Sequence, residues 1–155
     1  MFTPKAMLRL RGATSDVPDL TGGTFEPVID DTRVADKAAV TRVLLHSGKI
    51  HYDLLNELQK KPDDAIALVR LEQYYPAPIG ELKSVLDQYP NAEVVWVQDE
   101  PENQGAWPFV AVEVAPHLGR FVRVVSRPAA ASPAAGSAKR HAVEQAELIE
   151  RALTL

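Results

Sequence analysis

From residue 40 onward, short runs rich in β-branched residues alternate with segments whose apolar residues recur at helical spacing. The strand-like runs are residues 41–45, 66–71, 94–97 and 120–125. Helix-period residues fill the segments that follow: Leu54, Leu55 and Leu58 before Pro62; Ile79, Leu82, Val85, Leu86 and Tyr89 before Pro90; residues 106–118; and Ala142, Gln145, Ala146, Ile149 and Leu153 in a closing helix. This alternation predicts an α/β fold, with a mainly parallel sheet, right-handed crossovers and helices on both faces.

The first 39 residues lack any such period. They carry the pair Gly22-Gly23, scattered prolines and several aspartates, a composition typical of a segment that lies on another surface. We therefore predict an irregular arm or linker over residues 1–39 and one domain over residues 40–155. A chain of 155 residues is long enough for one such core.

Composition excludes several classes of function. The net charge of −4 argues against a general binder of nucleic-acid backbones, which usually carries a basic face. The absence of cysteine excludes disulfides and thiolate chemistry, and it suits a reducing compartment. No apolar run approaches the ~20 residues that a membrane helix needs. We expect a cytoplasmic protein with neither nucleic acid nor membrane as a partner.

Polar side chains follow the strand-like runs where a parallel strand would end. The segment after Val97 is the richest in them: Gln98, Asp99, Glu100, Glu102, Asn103 and Gln104. Because open α/β sheets bind ligands outside the carboxyl ends of their strands, this segment is a candidate binding loop. An ordinary solvated loop is the alternative.

The turn Ser47-Gly48-Lys49 lies between a predicted strand and a predicted helix. A phosphate-binding P-loop needs another glycine five positions before Gly48 and a hydroxyl residue after Lys49, and both are missing. Backbone amides, a helix dipole and one ammonium could still favour a single anionic group. The alternative is a tight turn with Gly48 at positive φ and Lys49 in solvent. Arg70 could likewise form an ion pair, with Glu72 or Glu100 as its partner.

Several segments together resemble one family. They are residues 3–9, 47–53, 69–73, 94–108 and 126–136, together with Pro76. In order and spacing they resemble the C-terminal region of the thiamine-diphosphate-dependent first component of the 2-oxoglutarate dehydrogenase complex. The actinobacterial multifunctional 2-oxoglutarate decarboxylase form is the most similar. The resemblance implies a fold like the transketolase C-terminal domain, and it makes Met1 a boundary inside a longer polypeptide instead of the start of a targeting signal.

The same resemblance implies a function within a larger enzyme. The parent would decarboxylate 2-oxoglutarate on thiamine diphosphate and pass a succinyl group to a lipoyl-bearing acyltransferase component. This domain would hold a homodimer together and contact a regulatory ligand, AMP or acetyl-CoA. The chain has no Gly-Asp-Gly cofactor motif, so other domains would bind thiamine diphosphate and magnesium. We expect no cofactor, no catalytic residue and no activity in this chain alone.

Two sets of candidate residues follow. Ligand candidates are Ser47, Lys49, Arg70, Gln73 and Gln98, with Arg42 ranked lower because it begins its strand at the opposite edge; interface candidates are Glu100, Asn103, Gln104, Trp107, Arg127 and Ser132. No metal site is expected because the four histidines lack metal-ligand spacing, although two of them could meet in space. The alternative function is an autonomous nucleotide- or anion-binding module of flavodoxin-like build.

Overall fold

The computed structural model describes residues 5–154, with a five-stranded sheet at its centre. The strands are β1 (Val28–Ile29), β2 (Arg42–His46), β3 (Ile66–Leu71), β4 (Glu93–Pro101) and β5 (Val122–Arg127), in the order β1-β3-β2-β4-β5. β2 pairs in parallel with β3 and β4, and β4 pairs in parallel with β5, whereas β1 is antiparallel to β3. The predicted mainly parallel sheet is confirmed.

In this described part of the chain, five α-helices accompany the sheet: α1 (Val17–Gly22), α2 (Ile50–Lys60), α3 (Ile79–Leu86), α4 (Trp107–Phe109) and α5 (Ala138–Thr154). Short 3-10 helices span Lys5–Arg9, Arg11–Ala13 and Lys37–Ala39. Two core clusters lie on opposite faces of the sheet, one beneath α2 and α5, the other beneath α3 and the segment after α4. Helices therefore cover both faces, as predicted.

Alternation along each strand explains why the two cores form. Val43 and Leu45 point into the α3-side cluster, whereas Leu44 points into the α2-side cluster. All three side chains are fully buried, which is why such a strand reads as a continuous apolar run. Within residues 5–154 no helix is both long and apolar enough to cross a membrane.

The predicted third helix, residues 106–118, forms as three different helical turns. α4 passes into a π-helical turn at Val110–Val114 and then into a 3-10 turn at Ala115–His117. Pro116 has no backbone N–H, so it cannot make the hydrogen bond that a regular helix requires there. The Ala115 N–H donates to the Val110 carbonyl, a five-residue spacing that produces the wider turn.

The N-terminal arm contributes one element that periodicity did not indicate, the two-residue strand β1. Just beyond it, the buried carboxylate of Asp31 accepts a hydrogen bond from the Leu68 backbone N–H at 2.7 Å. Asp31 also forms an ion pair with Arg33. The carboxylate thus extends the pairing along the edge of β3 where no strand backbone is available.

The part of the arm before β1 packs little of its apolar surface against the domain. Its large apolar side chains remain mostly exposed: Leu8, Val17, Leu20 and Phe25. Residues 1–4, and with them Met1 and the first two residues of the motif at 3–9, lie outside the described residues.

Candidate functional site

The carboxyl ends of the four parallel strands lie at one edge of the sheet, as predicted. His46 at the end of β2 is in register with Arg70 of β3 and with Val97 of β4. The Ser47-Gly48-Lys49 turn follows directly, and Gly48 has a φ of +72°, the left-handed conformation that glycine adopts most easily. α2 then begins at Ile50, so its N-terminus lies at the same edge.

The segment after Val97 differs from the predicted loop, because β4 continues through Pro101. Pairing with β5 is irregular between Val97 and Pro101 and resumes where Pro101 meets Arg127. Gln98, Asp99 and Glu100 therefore belong to an extended strand with a local irregularity. The mixture of polar residues and a proline hid this continuation, since proline is tolerated in a strand at such irregular positions.

Gln98 is buried, with only 3% of its surface exposed. Its side-chain carbonyl accepts from the Trp96 indole at 3.0 Å and from the Trp107 backbone N–H at 2.8 Å. Its amide nitrogen donates to the Pro101 and Gln104 carbonyls at 3.0 and 2.8 Å. These bonds use the full hydrogen-bonding capacity of the amide. Gln98 therefore holds the loop in shape and offers no free group to a base or ribose.

Lys49 is neither in solvent nor free for a ligand. Its ammonium pairs with Asp53, one helical turn along α2, and lies 3.7 Å from Asp99. The Gln145 amide of α5 donates to both carboxylates, at 3.0 and 2.5 Å. Burial disfavours the ammonium, but the two carboxylates outweigh it and raise the pKa of Lys49. A ligand anion would have to compete with them.

Three further ligand candidates, Arg70, Gln73 and Arg42, are also engaged in contacts within the domain. Arg70 lies 3.5 Å from Glu72, one of the two partners anticipated for it. The Gln73 amide donates to the Pro76 carbonyl at 2.8 Å. Arg42 pairs with Glu93 at 2.7 Å, at the edge where the parallel strands begin. The structure thus places Ser47, Lys49, Arg70, Gln73 and Gln98 at one edge and Arg42 at the other.

Two histidines meet beside Arg70, although their spacing gave no indication of it. His46 Nδ1 lies 2.8 Å from the Leu44 carbonyl, and His46 Nε2 lies 2.9 Å from His51 Nδ1. A carbonyl only accepts, so Nδ1 of His46 carries the proton and its Nε2 accepts from His51. Burial lowers the pKa of His46 from 6.5 to about 3, assisted by His51 and Arg70. Burial and Arg70 lower the pKa of His51 to about 4.

This pair predicts an acid-sensitive fold. The folded pKa of His46 lies below its unfolded value, so the unfolded chain binds protons more readily below about pH 6.5. The free energy of unfolding should be insensitive to His46 above that pH and fall by about 2 kcal/mol by about pH 5. Urea unfolding at the two ends of this pH range measures the loss of stability, which His46→Gln should reduce.

His117→Gln, at an exposed position, is the control. An unchanged pH dependence in His46→Gln would contradict the assignment.

The two loops that hold the interface candidates are joined to each other. The Asn103 side chain accepts from the Ala130 N–H at 3.0 Å and donates to the Ala130 carbonyl at 3.1 Å. Gln104 donates to the same carbonyl at 2.7 Å. Among the described residues, Ser132 bonds with Ala134 alone, two positions along the same loop. The loop over residues 128–136 therefore lies against the loop over residues 101–104.

Arg127 fixes the other side of this assembly and is only 9% exposed. Its guanidinium donates to the Asp99 carbonyl at 2.6 Å, to the Pro133 carbonyl at 2.5 Å and to Glu144 at 3.3 Å. One side chain thus joins β4, the 128–136 loop and α5. We call the surface formed by residues 101–104, Trp107 and residues 128–136 the clamped-loop surface.

A cleft of about 450 Å³ opens at the carboxyl edge on the α3 side of the sheet. Its walls include Ser47, Tyr74, Trp96, Gln98, Glu100 and Phe109. Among residues 5–154, no group of three or more His, Cys, Asp or Glu side chains could hold a metal ion.

The sequence analysis did not predict the roles of Asp31 and Tyr74 or the contacts of Gln145. For Gln145 the sequence did hold an indication, because a glutamine on the apolar stripe of α5 is unusual and suggests a polar contact within the domain.

Comparison of the sequence with known proteins identifies the family of this chain. The 2-oxoglutarate dehydrogenase C-terminal family matches residues 14–153. A 2-oxoglutarate dehydrogenase E1/E2 component of Corynebacterium glutamicum is 46% identical over 157 residues, covering 98% of this chain and 13% of the relative. A multifunctional 2-oxoglutarate metabolism enzyme of Mycolicibacterium vanbaalenii is 43% identical over 160 residues, covering 98% and 13%. A 2-oxoglutarate dehydrogenase E1 component of Cupriavidus necator is 43% identical over 155 residues, covering 98% and 16%.

The chain spans between 13% and 16% of the length of these relatives. The match runs through the carboxyl edge of the sheet, including the Ser47-Gly48-Lys49 turn, β4 and the 128–136 loop. It confirms the resemblance carried by the motifs of the sequence. The chain therefore belongs to the 2-oxoglutarate dehydrogenase C-terminal family.

Proposed function

We propose that this chain is the assembly and regulatory domain of a cytoplasmic, thiamine-diphosphate-dependent 2-oxoglutarate dehydrogenase or decarboxylase. The parent would act as a homodimer and pass its acyl group to a lipoyl-bearing acyltransferase component. The names of the relatives support the activity, and the E1/E2 name of the Corynebacterium relative supports the acyltransferase link.

The residues of this chain do not fit the cofactor itself. The sequence lacks Gly-Asp-Gly, and within residues 5–154 no three His, Cys, Asp or Glu side chains come together in a way that could hold a metal ion. Thiamine diphosphate and magnesium are therefore assigned to other domains of the parent, and no catalytic step is assigned here. The 155-residue chain should melt cooperatively yet release no carbon dioxide from 2-oxoglutarate with both cofactors added. Release above a heat-killed control would contradict this assignment.

The observation that carries the assembly role is the clamped-loop surface. Both loops are held by side-chain bonds, so the surface is already ordered before a partner arrives. An ordered surface with a half-buried aromatic residue, Trp107, loses little conformational entropy on binding. We infer that it faces the partner subunit or the other domains of the parent.

Trp107→Ser in the parent enzyme tests this role. Because a central aromatic contact is typically worth about 2 kcal/mol or more in an interface, the dimer dissociation constant should rise at least about tenfold. Phe121→Ser is the matched control, since Phe121 is 81% exposed and lies where β5 begins, away from the surface. Analytical ultracentrifugation measures both variants. Equal effects of the two substitutions would exclude the clamped-loop surface as the contact.

For the regulatory role, we propose that AMP or acetyl-CoA binds through its phosphates near the Ser47-Gly48-Lys49 turn and Arg70. The N-terminus of α2 and two cations support an anion site there. The ion pairs add a condition: Lys49 must exchange Asp53 and Asp99 for the ligand. Gln73 and Gln98 would contribute through the shape of the loops, and Arg42 would not take part.

Calorimetric titration of the parent with each nucleotide tests the regulatory role. Lys49→Ala and Arg70→Ala should each weaken binding about tenfold or more, because a charge-assisted contact contributes about 1.5–3 kcal/mol. Asp99→Asn should strengthen binding, since it removes a competitor for Lys49. Arg42→Ala is the control, with unchanged affinity expected. If the two alanine variants at Lys49 and Arg70 bind normally, the effector lies elsewhere.

A further inference from the structure

Glu100 is the charged residue among those that line the cleft on the α3 side of the sheet, and this solvent-exposed carboxylate has no ion-pair partner among residues 5–154. Arg70, a partner anticipated from the sequence, pairs with Glu72 instead. No cationic side chain within residues 5–154 lines the cleft. A carboxylate left without a counterion at a binding-sized opening favours a positively charged occupant.

Gly105 determines where the Glu100 side chain lies. Gly105 has a φ of +66°, and a Cβ placed on it would come within 2.8 Å of Glu100 Cβ and 3.0 Å of Glu100 Oε2. The absence of a side chain at Gly105 therefore leaves the space that Glu100 occupies. The loop thus sets where the Glu100 side chain leaves the backbone, while its carboxylate stays accessible to solvent and to a ligand.

The remaining walls also suit a cation on an apolar stem. Tyr74 packs at a ring-centre distance of 6.4 Å from Trp96 and at 6.1 Å, edge to face, from Phe109. Aromatic faces carry partial negative charge and attract ammonium and guanidinium groups. Burial raises the pKa of Tyr74, so its hydroxyl stays neutral beside Ser47. Gln98 is fully bonded and acts only as a wall.

We propose that this cleft binds an organic cation, a guanidinium or primary ammonium group on a short apolar stem. The carboxylate of Glu100 would pair with the charge, and the rings of Tyr74 and Phe109 would contact the stem. The proposal does not depend on the parent's activity, and the three side chains that would hold the cation are not those of the anion site, although Ser47 borders both. The cation could come from a free small molecule or from an arginine or lysine of a polypeptide that covers the loop.

The test uses n-butylguanidinium as the probe and n-butylurea as its uncharged isostere. The chain has two tryptophans, so two indole N–H signals report binding in ¹⁵N NMR, and Trp107→Phe identifies the one from Trp96. Butylguanidinium should shift the Trp96 signal saturably, with butylurea at least about tenfold weaker. No saturable shift, or equal binding of the two probes, would overturn the proposal.

Variants test the assigned carboxylate. Glu100→Gln preserves the shape and should weaken butylguanidinium binding about tenfold or more, and Gly105→Ala should weaken it by displacing Glu100. Glu102→Gln is the control, because Glu102 is an exposed carboxylate two residues away that does not line the cleft. Unchanged binding in Glu100→Gln would also overturn the proposal. The source of the cation follows from a comparison with an acetylated Gly-Arg-Gly amide. Tighter binding of this peptide than of butylguanidinium would identify a polypeptide as the source, whereas equal binding of the two would identify a free cation.

Discussion

Replacing Gln98 by leucine should lower the free energy of unfolding by about 3–5 kcal/mol, because each buried polar group left without a partner costs about 1–3 kcal/mol. The substitution leaves three groups unpaired: the Trp96 indole N–H, the Trp107 N–H and the Gln104 carbonyl. The Pro101 carbonyl still accepts from the Gln104 N–H at 2.8 Å. Some of them would recover water by opening the loop. The loss is a large part of the ~5–15 kcal/mol by which domains are usually stable.

Urea unfolding followed by circular dichroism measures the effect of Gln98→Leu without depending on tryptophan emission. Gln73→Leu is the matched control, since it makes the same chemical change where one bond, to the Pro76 carbonyl, is lost. The control should lose about 1 kcal/mol or less. Similar losses in both variants would show that the Gln98 bonds do not hold the loop together.

The strands and most helices could be predicted from the sequence because burial leaves a pattern in it. A strand covered on both faces must be apolar throughout, which made residues 94–97 visible. α2 ends just before Pro62, where proline prevents its continuation. β1 was missed because two residues are too few to show a period. The Asp31 bond beyond it was missed because Asp31 lies 37 positions from Leu68.

The site was predictable only in its location. Parallel strands bring their carboxyl ends together, so topology alone placed Ser47, Arg70 and Gln98 at one edge. The Arg70 and Glu72 pair followed from their spacing, since residues two apart on a strand share a face. The Lys49 and Asp53 pair was also accessible, because residues four apart are neighbours on a helix.

What the sequence could not supply is contact between segments far apart along the chain. The Gln145 amide reaches Asp53 across 92 positions and Asp99 across 46. These bonds depend on how α5 crosses the sheet and on the rotamers chosen there. They hold the two carboxylates that flank Lys49. Because the sequence shows no sign of these hydrogen bonds, several residues were predicted to contact a ligand that in the structure bond within the domain.

Arg127→Lys should destabilise the domain by about 2–3 kcal/mol and free the 128–136 loop. Lysine keeps the charge but loses the planar fork that reaches three acceptors at once. The Asp99 and Pro133 carbonyls, now bonded at 2.6 and 2.5 Å, would compete for one ammonium. A side chain that is only 9% exposed has little water to replace the lost bonds, so the cost should exceed that of a surface arginine.

Hydrogen exchange separates the clamp from a general loss of stability. In Arg127→Lys, the Ala130 amide, which donates to Asn103, should exchange faster by a larger factor than amides in β2 and β3. Arg123→Lys is the matched control, because Arg123 lies on the same strand with its side chain 45% exposed. It should leave both stability and Ala130 exchange nearly unchanged. A uniform acceleration across the sheet in Arg127→Lys would mean that Arg127 supports the core and does not specifically hold the clamped-loop surface. Local acceleration at Ala130, together with weaker dimerisation of the parent enzyme, would connect this one guanidinium to the assembly role.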